Sequence, residues 1–389
     1  MDMTHTTQRI IDLAIQIQQI AAPTFHERKR AEFVRGLFER ERLEDVTMDE
    51  AGNVYGALRV KRSNVESQRS KPLIVSAHLD TVFPLEMDLS VRREANTVHG
   101  IGIGDNSLGV AALIGLIWLL TSPQPSPERR VGQPSPLAPP PQGEGKRDVW
   151  LVANVCEEGL GDLRGMKAVV DRFGADVTAY LVLEGMALGH VYHRAVGVKR
   201  YKITAKTKGG HSWSNYGELS AIHELSKLVV QLTSLELPKE PRTTMNVGKI
   251  SGGTSINVIS SEAWIELDLR SEGQAELEKL ISSVDRIIRE AIKPGLSLEA
   301  EAVGARPAGE MSPNHPLIKL AEECVREQGM EAILTTGSTD ANVPLSKGYP
   351  ALVLGVTTGG GAHTKDEFIN IEPVGKGMEQ LVRFVEGVW

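Results

Sequence analysis

The chain has 389 residues, 41% of them hydrophobic and 24% charged, a balance ordinary for a folded globular protein and long enough for two separate cores. A net charge of −7 gives no electrostatic reason to bind nucleic acid or an anionic membrane. Cys156 and Cys324 are too few and too far apart for a disulfide framework or a thiolate metal site, and the opening Met1-Asp-Met-Thr-His5 lacks the basic and apolar regions of a signal peptide, so a cytoplasmic setting is expected.

In chain order, Ile10, Leu13, Ile17 and Ile20 recur at helical spacing. Thr24-Phe-His-Glu27 matches a capping box, which predicts a second helix carrying Phe33, Val34, Leu37 and Phe38. Leu73-Ile-Val-Ser-Ala77 reads as a strand. Leu108 to Leu120 follows as a buried helix, too short for a bilayer and interrupted by two glycines. Residues 122–146 are dense in proline with almost no large apolar side chain, so that stretch is expected to be a disordered or extended insertion far from any chemistry. Three more apolar runs, Val149 to Val155, Ala179 to Leu183 and Ala351 to Leu354, read as further strands. Their near-continuous apolar character is that of strands buried on both faces.

Residues 192–305 read differently. Tyr201, Ile203 and Ala205 alternate with Lys202, Thr204 and Lys206, as on a half-exposed strand. A helix over Ile222 to Leu232, two strands near Met245–Ile250 and Ala263–Leu269, a helix over Leu277 to Ile288 and a strand near Leu298–Val303 complete a ferredoxin-like order. The predicted fold class is α/β: a mainly parallel sheet flanked by helices, formed by 1–191 and 306–389, with an inserted α+β domain over 192–305.

The chemistry-bearing residues sit where strands stop. His78-Leu-Asp80 directly follows the Leu73–Ala77 run, and Asp80 can accept the second N–H of a metal-binding imidazole. Asp105 lies in Gly100-Ile-Gly-Ile-Gly-Asp105, immediately before the apolar helix. Glu157 and Glu158 close the Trp150–Val155 run, Glu184 closes Ala179–Leu183, and His363 follows Gly359-Gly-Gly-Ala362. Each alone also reads as a loop acid, a helix cap or a turn histidine, and Cys156 beside the acid pair leaves a nucleophilic thiol open. Together they place nitrogen and oxygen donors at one sheet edge, the place where ligands bind in open α/β sheets and the donor set that zinc takes. Two histidines and several carboxylates suit two ions sharing one bridging carboxylate better than one ion.

The pieces Ser76-Ala-His-Leu-Asp-Thr-Val82, Gly104-Asp-Asn106, Cys156-Glu-Glu-Gly159, Leu183-Glu-Gly185, Gly209-Gly-His211, Gly252-Gly-Thr-Ser-Ile-Asn-Val258 and Ala362-His363 resemble, in order, those of the di-zinc peptidases and deacylases. That family includes glutamate carboxypeptidase, aminoacylase, acetylornithine deacetylase, succinyl-diaminopimelate desuccinylase and tripeptide peptidase. The resemblance implies His78 and Glu184 on one zinc, Glu158 and His363 on the other, and Asp105 bridging both. It implies Asp80 as the partner of His78, Glu157 as general base, and a cis peptide at Asp105-Asn106. It further implies that the inserted domain is a dimerisation and lid domain. His211 from it would supply an oxyanion donor to the neighbouring subunit of a homodimer.

The function implied is hydrolysis of an amide bond in small peptides or N-acyl amino acids, by water activated between two Zn²⁺ ions per subunit, with cobalt or manganese also compatible with such donors. In the family, Glu at the position of Glu184 goes with carboxypeptidases and deacylases, and Asp with aminopeptidases. An aminopeptidase acting on di- or tripeptides is the alternative, and a metal-free binding protein of the same fold the third. Asn257 and Arg270 are candidates to hold a substrate carboxylate; Arg270 reads equally as a surface arginine at a strand end. No nucleic acid or membrane partner is expected.

Overall fold

A computed structural model describes residues 3–60, 71–122 and 147–389. The chain divides into two compact units. The first holds the described residues up to His193, then Met311–Thr335 and Thr339–Trp389; the second holds Arg194–Glu310 and Thr336–Ser338.

The first unit is built on a mixed sheet. Strands Arg147–Asn154, Leu73–His78, Ala179–Glu184 and Ala351–Gly355 lie side by side and are mutually parallel. Antiparallel strands flank them: Val54–Val60 and then Glu44–Met48 beside Arg147–Asn154, and a strand that sets Tyr192 opposite Val353 at the other side. Every residue of Leu73–His78 is buried, as the continuous apolar run requires of a strand covered on both faces. Parallel pairing also aligns the strand ends. Ser76 is level with Val182, and His78 with Asn154.

Helix Leu108–Thr121 packs on strand Leu73–His78 and touches helices Met3–Gln18 and Val374–Gly387. Its sequence is apolar all round because it is buried all round. With the preceding turn from Ile103 it is long and apolar enough to cross a membrane, yet 83% of that window is buried inside the protein, as in a core helix. Gly115 makes the close approach feasible, since a Cβ there would stand 2.6 Å from Ile10 and 2.9 Å from Met378. Beyond this helix only Ser122 of the proline-rich 122–146 stretch is described; the rest of that expectation lies outside the described residues.

The capping box expected at Thr24–Glu27 does not form. The second helix runs Arg28–Arg40 with Glu27 at its cap position, and no side chain caps it. Both residues turn instead toward other partners, described below.

The second unit is a four-stranded antiparallel sheet in the order Thr243–Gly252, Glu262–Ser271, Gly197–Lys206, Ser297–Arg306. Helices Ala221–Thr233 and Gln274–Ala291 cover one face. Ile203, Leu225, Leu228, Ile265, Leu267 and Val284 form the centre of its core. Each such side chain stabilises the unit by about 1.5–3 kcal/mol relative to exposure.

Candidate metal centre

The parallel strands deliver their C-terminal ends to one edge, and the acids and histidines follow. His78 and Glu184 are the last residues of their strands. Glu157 and Glu158 stand just past Asn154, with Cys156 in the left-handed region at φ 58° so that the chain turns there. Asp105 occupies a non-helical turn ahead of helix Leu108–Thr121, and the Asp105-Asn106 peptide is cis. Asn106 fastens that turn to the neighbouring strand: its Nδ2 donates to Leu183 O at 2.8 Å, and its Oδ1 accepts from Gly185 N–H at 3.0 Å. A small antiparallel sheet of Gly359–Gly360, Phe368–Asn370, Thr97–His99 and Arg92–Arg93 draws the His363 loop beside the Gly100–Asp105 loop.

The contacts at the centre are specific. Asp105 Oδ1 lies 3.1 Å from His78 Nε2 and Asp105 Oδ2 lies 3.1 Å from His363 Nε2. Glu184 Oε2 is 3.8 Å from His78 Nε2, and Glu158 Oε1 is 2.9 Å from His363 Nε2. One ligand atom each from His78, Asp105 and Glu158 falls within 4.8 Å of the others. On the far side of the His78 ring, Nδ1 meets the Asp80 carbonyl at 3.1 Å and Asp80 Oδ1 at 3.5 Å. Asp80 also accepts the backbone N–H groups of Glu157 (2.9 Å) and Glu158 (2.8 Å).

Four carboxylates, those of Asp80, Asp105, Glu158 and Glu184, face two imidazoles, and the charge imbalance shows in the protonation of the group. Burial pushes Glu184 up to about 8, with the negative charges of Asp105, Asp340 and Glu158 adding to it and His78 opposing. Hydrogen bonds to Asp105 and Glu158 lift His363 to about 10. Burial alone would lower His78, but its hydrogen bonds to Asp105 and Asp80 outweigh that and leave it well above the ordinary value. Burial alone would raise Asp105 and Asp80; hydrogen bonds from the histidines hold both below the usual carboxylate range. Without a metal, protons on the rings supply the positive charge. Cys156, buried beside the Glu27 and Asp80 charges, is pushed up to about 12, so its thiol stays neutral.

The donors suit a pair of divalent ions. Nitrogen and carboxylate oxygen are zinc's ligand types outside thiolate sites, and separations of 2.9–3.8 Å are those of ligands about 2.0–2.2 Å from a shared ion.

The remaining candidates lie in the second unit. His211 pairs with Val258 in a two-stranded ribbon, and Asn257 O accepts the N–H of Ser212 at 3.0 Å, so His211 and Asn257 are neighbours. Arg270 is on strand Glu262–Ser271, with Nε 2.7 Å from Asp268 Oδ2. Its guanidinium already has an acid partner.

Sequence reasoning missed Glu367. Its fully buried carboxylate accepts the N–H groups of Gly102 (2.7 Å), Gly104 (2.8 Å) and Asp105 (2.9 Å). Burial raises it to about 7 against those three hydrogen bonds. The signal was indirect: a glycine-rich loop offers N–H groups but no side-chain acceptor, so a buried loop needs one from elsewhere. Asp340 was missed too. It is fully buried, 2.6 Å through Oδ2 from Asn154 Nδ2, at the strand end level with His78.

A fold with a carboxylate and histidine cluster of this kind defines a metal-dependent hydrolase of the peptidase and amidohydrolase class. Residues 194–295 match the family model described as "Peptidase dimerisation domain", and residues 53–226 match "Peptidase family M28". The chain is 24% identical to succinyl-diaminopimelate desuccinylase of Corynebacterium glutamicum over 95% of its own length and 92% of that protein's. Its structure is similar to a tripeptidase from Staphylococcus aureus (TM-score 0.78) and to aminopeptidase PepT from Bacillus cereus (TM-score 0.76). Each is 20% identical, and 98% of both chains is covered in each case. These matches make the chain similar to metallopeptidases and deacylases, succinyl-diaminopimelate desuccinylase among them.

Proposed function

We propose that the protein is a two-zinc hydrolase cleaving an amide bond of small peptides or N-acyl amino acids, of the carboxypeptidase and aminoacylase type. The observation that carries this reading is that the two oxygens of Asp105 face two different imidazoles, each accompanied by a further glutamate. His78 and Glu184 would hold one ion, His363 and Glu158 the other, with Asp105 shared. Such a pair, when bound, polarises the scissile carbonyl and makes water acidic enough to attack near neutral pH.

The chain's own groups do the rest. Glu157, 5% exposed, takes a proton from the attacking water on its carboxylate and returns it to the leaving nitrogen. Asp80 holds the His78 proton on Nδ1, leaving Nε2 as the donor atom toward the centre. In the second unit, His211 Nδ1 accepts the N–H groups of Trp213 (3.2 Å) and Ser214 (3.3 Å), which puts the ring proton on Nε2. An Nε2–H donor is what a tetrahedral oxyanion needs. Asn257, beside it, and Arg270 are assigned to the substrate carboxylate, Arg270 on exchanging its bond to Asp268. The second unit is assigned as dimerisation and lid domain, with His211 serving the neighbouring subunit. A cytoplasmic setting fits the two buried free thiols.

The test is a panel of N-acyl amino acids, C-terminally free dipeptides and N-terminally free tripeptides, run with metal analysis. Turnover of the first two classes with two zinc ions per chain is expected. Turnover of tripeptides alone, lost when the free amine is blocked, would replace this reading with an aminopeptidase. Less than one metal per chain without hydrolysis would leave a binding protein.

A further inference from the structure

The residues that fail to cap the second helix are spent on the turn that carries Glu157. Pro23 bridges Thr81 in parallel, and Ala22 O accepts the N–H of Thr81 at 2.9 Å, which lays this segment alongside the residues after His78. Thr24 Oγ1 donates to Asp80 Oδ2 at 2.9 Å and also stands 3.5 Å from Glu158 O. Glu27 Oε1, in a side chain only 5% exposed, accepts the N–H of Phe25 at 3.0 Å and that of Cys156 at 3.1 Å, with the Cys156 thiol at 3.5 Å. Arg30, buried in the next turn of chain, donates to Leu79 O and Ile20 O and ties the segment to the backbone between His78 and Asp80.

Three consecutive N–H groups, of Cys156, Glu157 and Glu158, therefore donate into two buried carboxylates, Glu27 and Asp80. Cys156 holds a left-handed conformation, uncommon for a non-glycine residue. Glu27 is the acceptor at that residue. Asp80 has duties on two sides, His78 and the glutamate turn, and Thr24 donates to the oxygen that serves Glu158.

We propose that Glu27 and Thr24 are positioning residues for the general-base turn. Glu27 fixes the backbone from which Glu157 and Glu158 diverge, and Thr24 fixes the Asp80 carboxylate that orients both the turn and the His78 ring. The proposal rests on the reading of Glu157 as general base and deepens it.

The experiment uses the full chain loaded with zinc, with Thr24→Val, Thr24→Ser, Glu27→Ala and Glu27→Gln compared for kcat, KM and bound metal. Thr24→Val and Glu27→Ala should lower kcat about tenfold or more, the scale of losses from groups that orient reacting residues, with KM within about twofold and both metals retained. Thr24→Ser keeps the hydroxyl and Glu27→Gln keeps an acceptor oxygen, so both should recover most of the rate. Wild-type kcat in the first two variants, or a loss lying wholly in KM or metal content, overturns the proposal. If Glu27→Ala does not fold, the Thr24 pair decides alone. Glu157→Gln run alongside separates the two readings. Full activity there sinks the general-base assignment itself, whereas an inactive Glu157→Gln beside fully active Thr24→Val and Glu27→Ala sinks only the brace.

Discussion

Asp80 Oδ1 accepts the backbone N–H of Glu157 at 2.9 Å. The same oxygen is 3.5 Å from His78 Nδ1, so one carboxylate sets the orientation of an imidazole and the direction of a glutamate 77 residues away in sequence. Replacing Asp80 by Ala should lower zinc affinity about 10–100-fold and reduce turnover even at saturating zinc. Competition against a chelator of known affinity measures the first effect. An unchanged affinity would remove Asp80 from the centre.

The two adjacent glutamates should separate cleanly. Glu157→Gln is expected to keep its metal and lose at least about a hundredfold in kcat, the scale of general-base loss. Glu158 faces His363 at 2.9 Å, so Glu158→Gln should lose metal first and activity as a consequence. Equal metal loss in both variants would contradict the division of roles.

The protonation of the metal-free centre gives a signed pH dependence. His363, lifted to about 10 by its bonds to Asp105 and Glu158, contributes stability that is complete below its ordinary 6.5 and is lost as pH rises toward 10. Glu184, pushed up to about 8 by burial, weakens the folded state progressively from 4.5 upward through 8. Both terms run the same way. Metal-free protein should melt at falling temperature between about pH 6 and pH 10, while zinc-loaded protein, with neutral rings and ionised acids already bound, should change much less. A metal-free Tm that rises over this range contradicts the assignment.

Gly185 is required by a close approach of backbone to backbone. A Cβ at this position would stand 2.1 Å from Gly104 O, directly ahead of Asp105. Gly185→Ala should therefore destabilise the protein by about 1–3 kcal/mol and displace the Asp105 turn. Denaturant unfolding and zinc titration should both report the change; an effect on neither would mean the loop yields freely.

Much of the architecture could be read from residue types because it depends on local pattern. Leu73–Ala77 and Ala179–Leu183 are continuous apolar runs, and both are buried parallel strands. The alternation at Tyr201, Ile203 and Ala205 marks the strand that lines the second unit's core. His78, Asp105, Glu158, Glu184 and His363 were visible as acids and histidines at strand ends, and the structure brings them within contact distance. What escaped has a common cause. Glu27 fits a helix cap by its local spacing, yet besides the nearby Phe25 N–H its carboxylate accepts that of Cys156, 129 residues away. Glu367 binds the Asp105 loop across 262 residues, and Asn154 meets Asp340 across 186. Such buried acceptors are selected by tertiary pairing, which no local periodicity encodes.

The proposed two-zinc centre stands or falls on Asp105 being shared between two metal ions. Anomalous diffraction at the zinc edge, on crystals of zinc-loaded protein, tests it most directly. Two peaks per chain about 3.5–4 Å apart are expected, one beside His78 and Glu184, the other beside His363 and Glu158, with an Asp105 oxygen at each. A single peak, or two peaks of which one lacks Asp105, would contradict it.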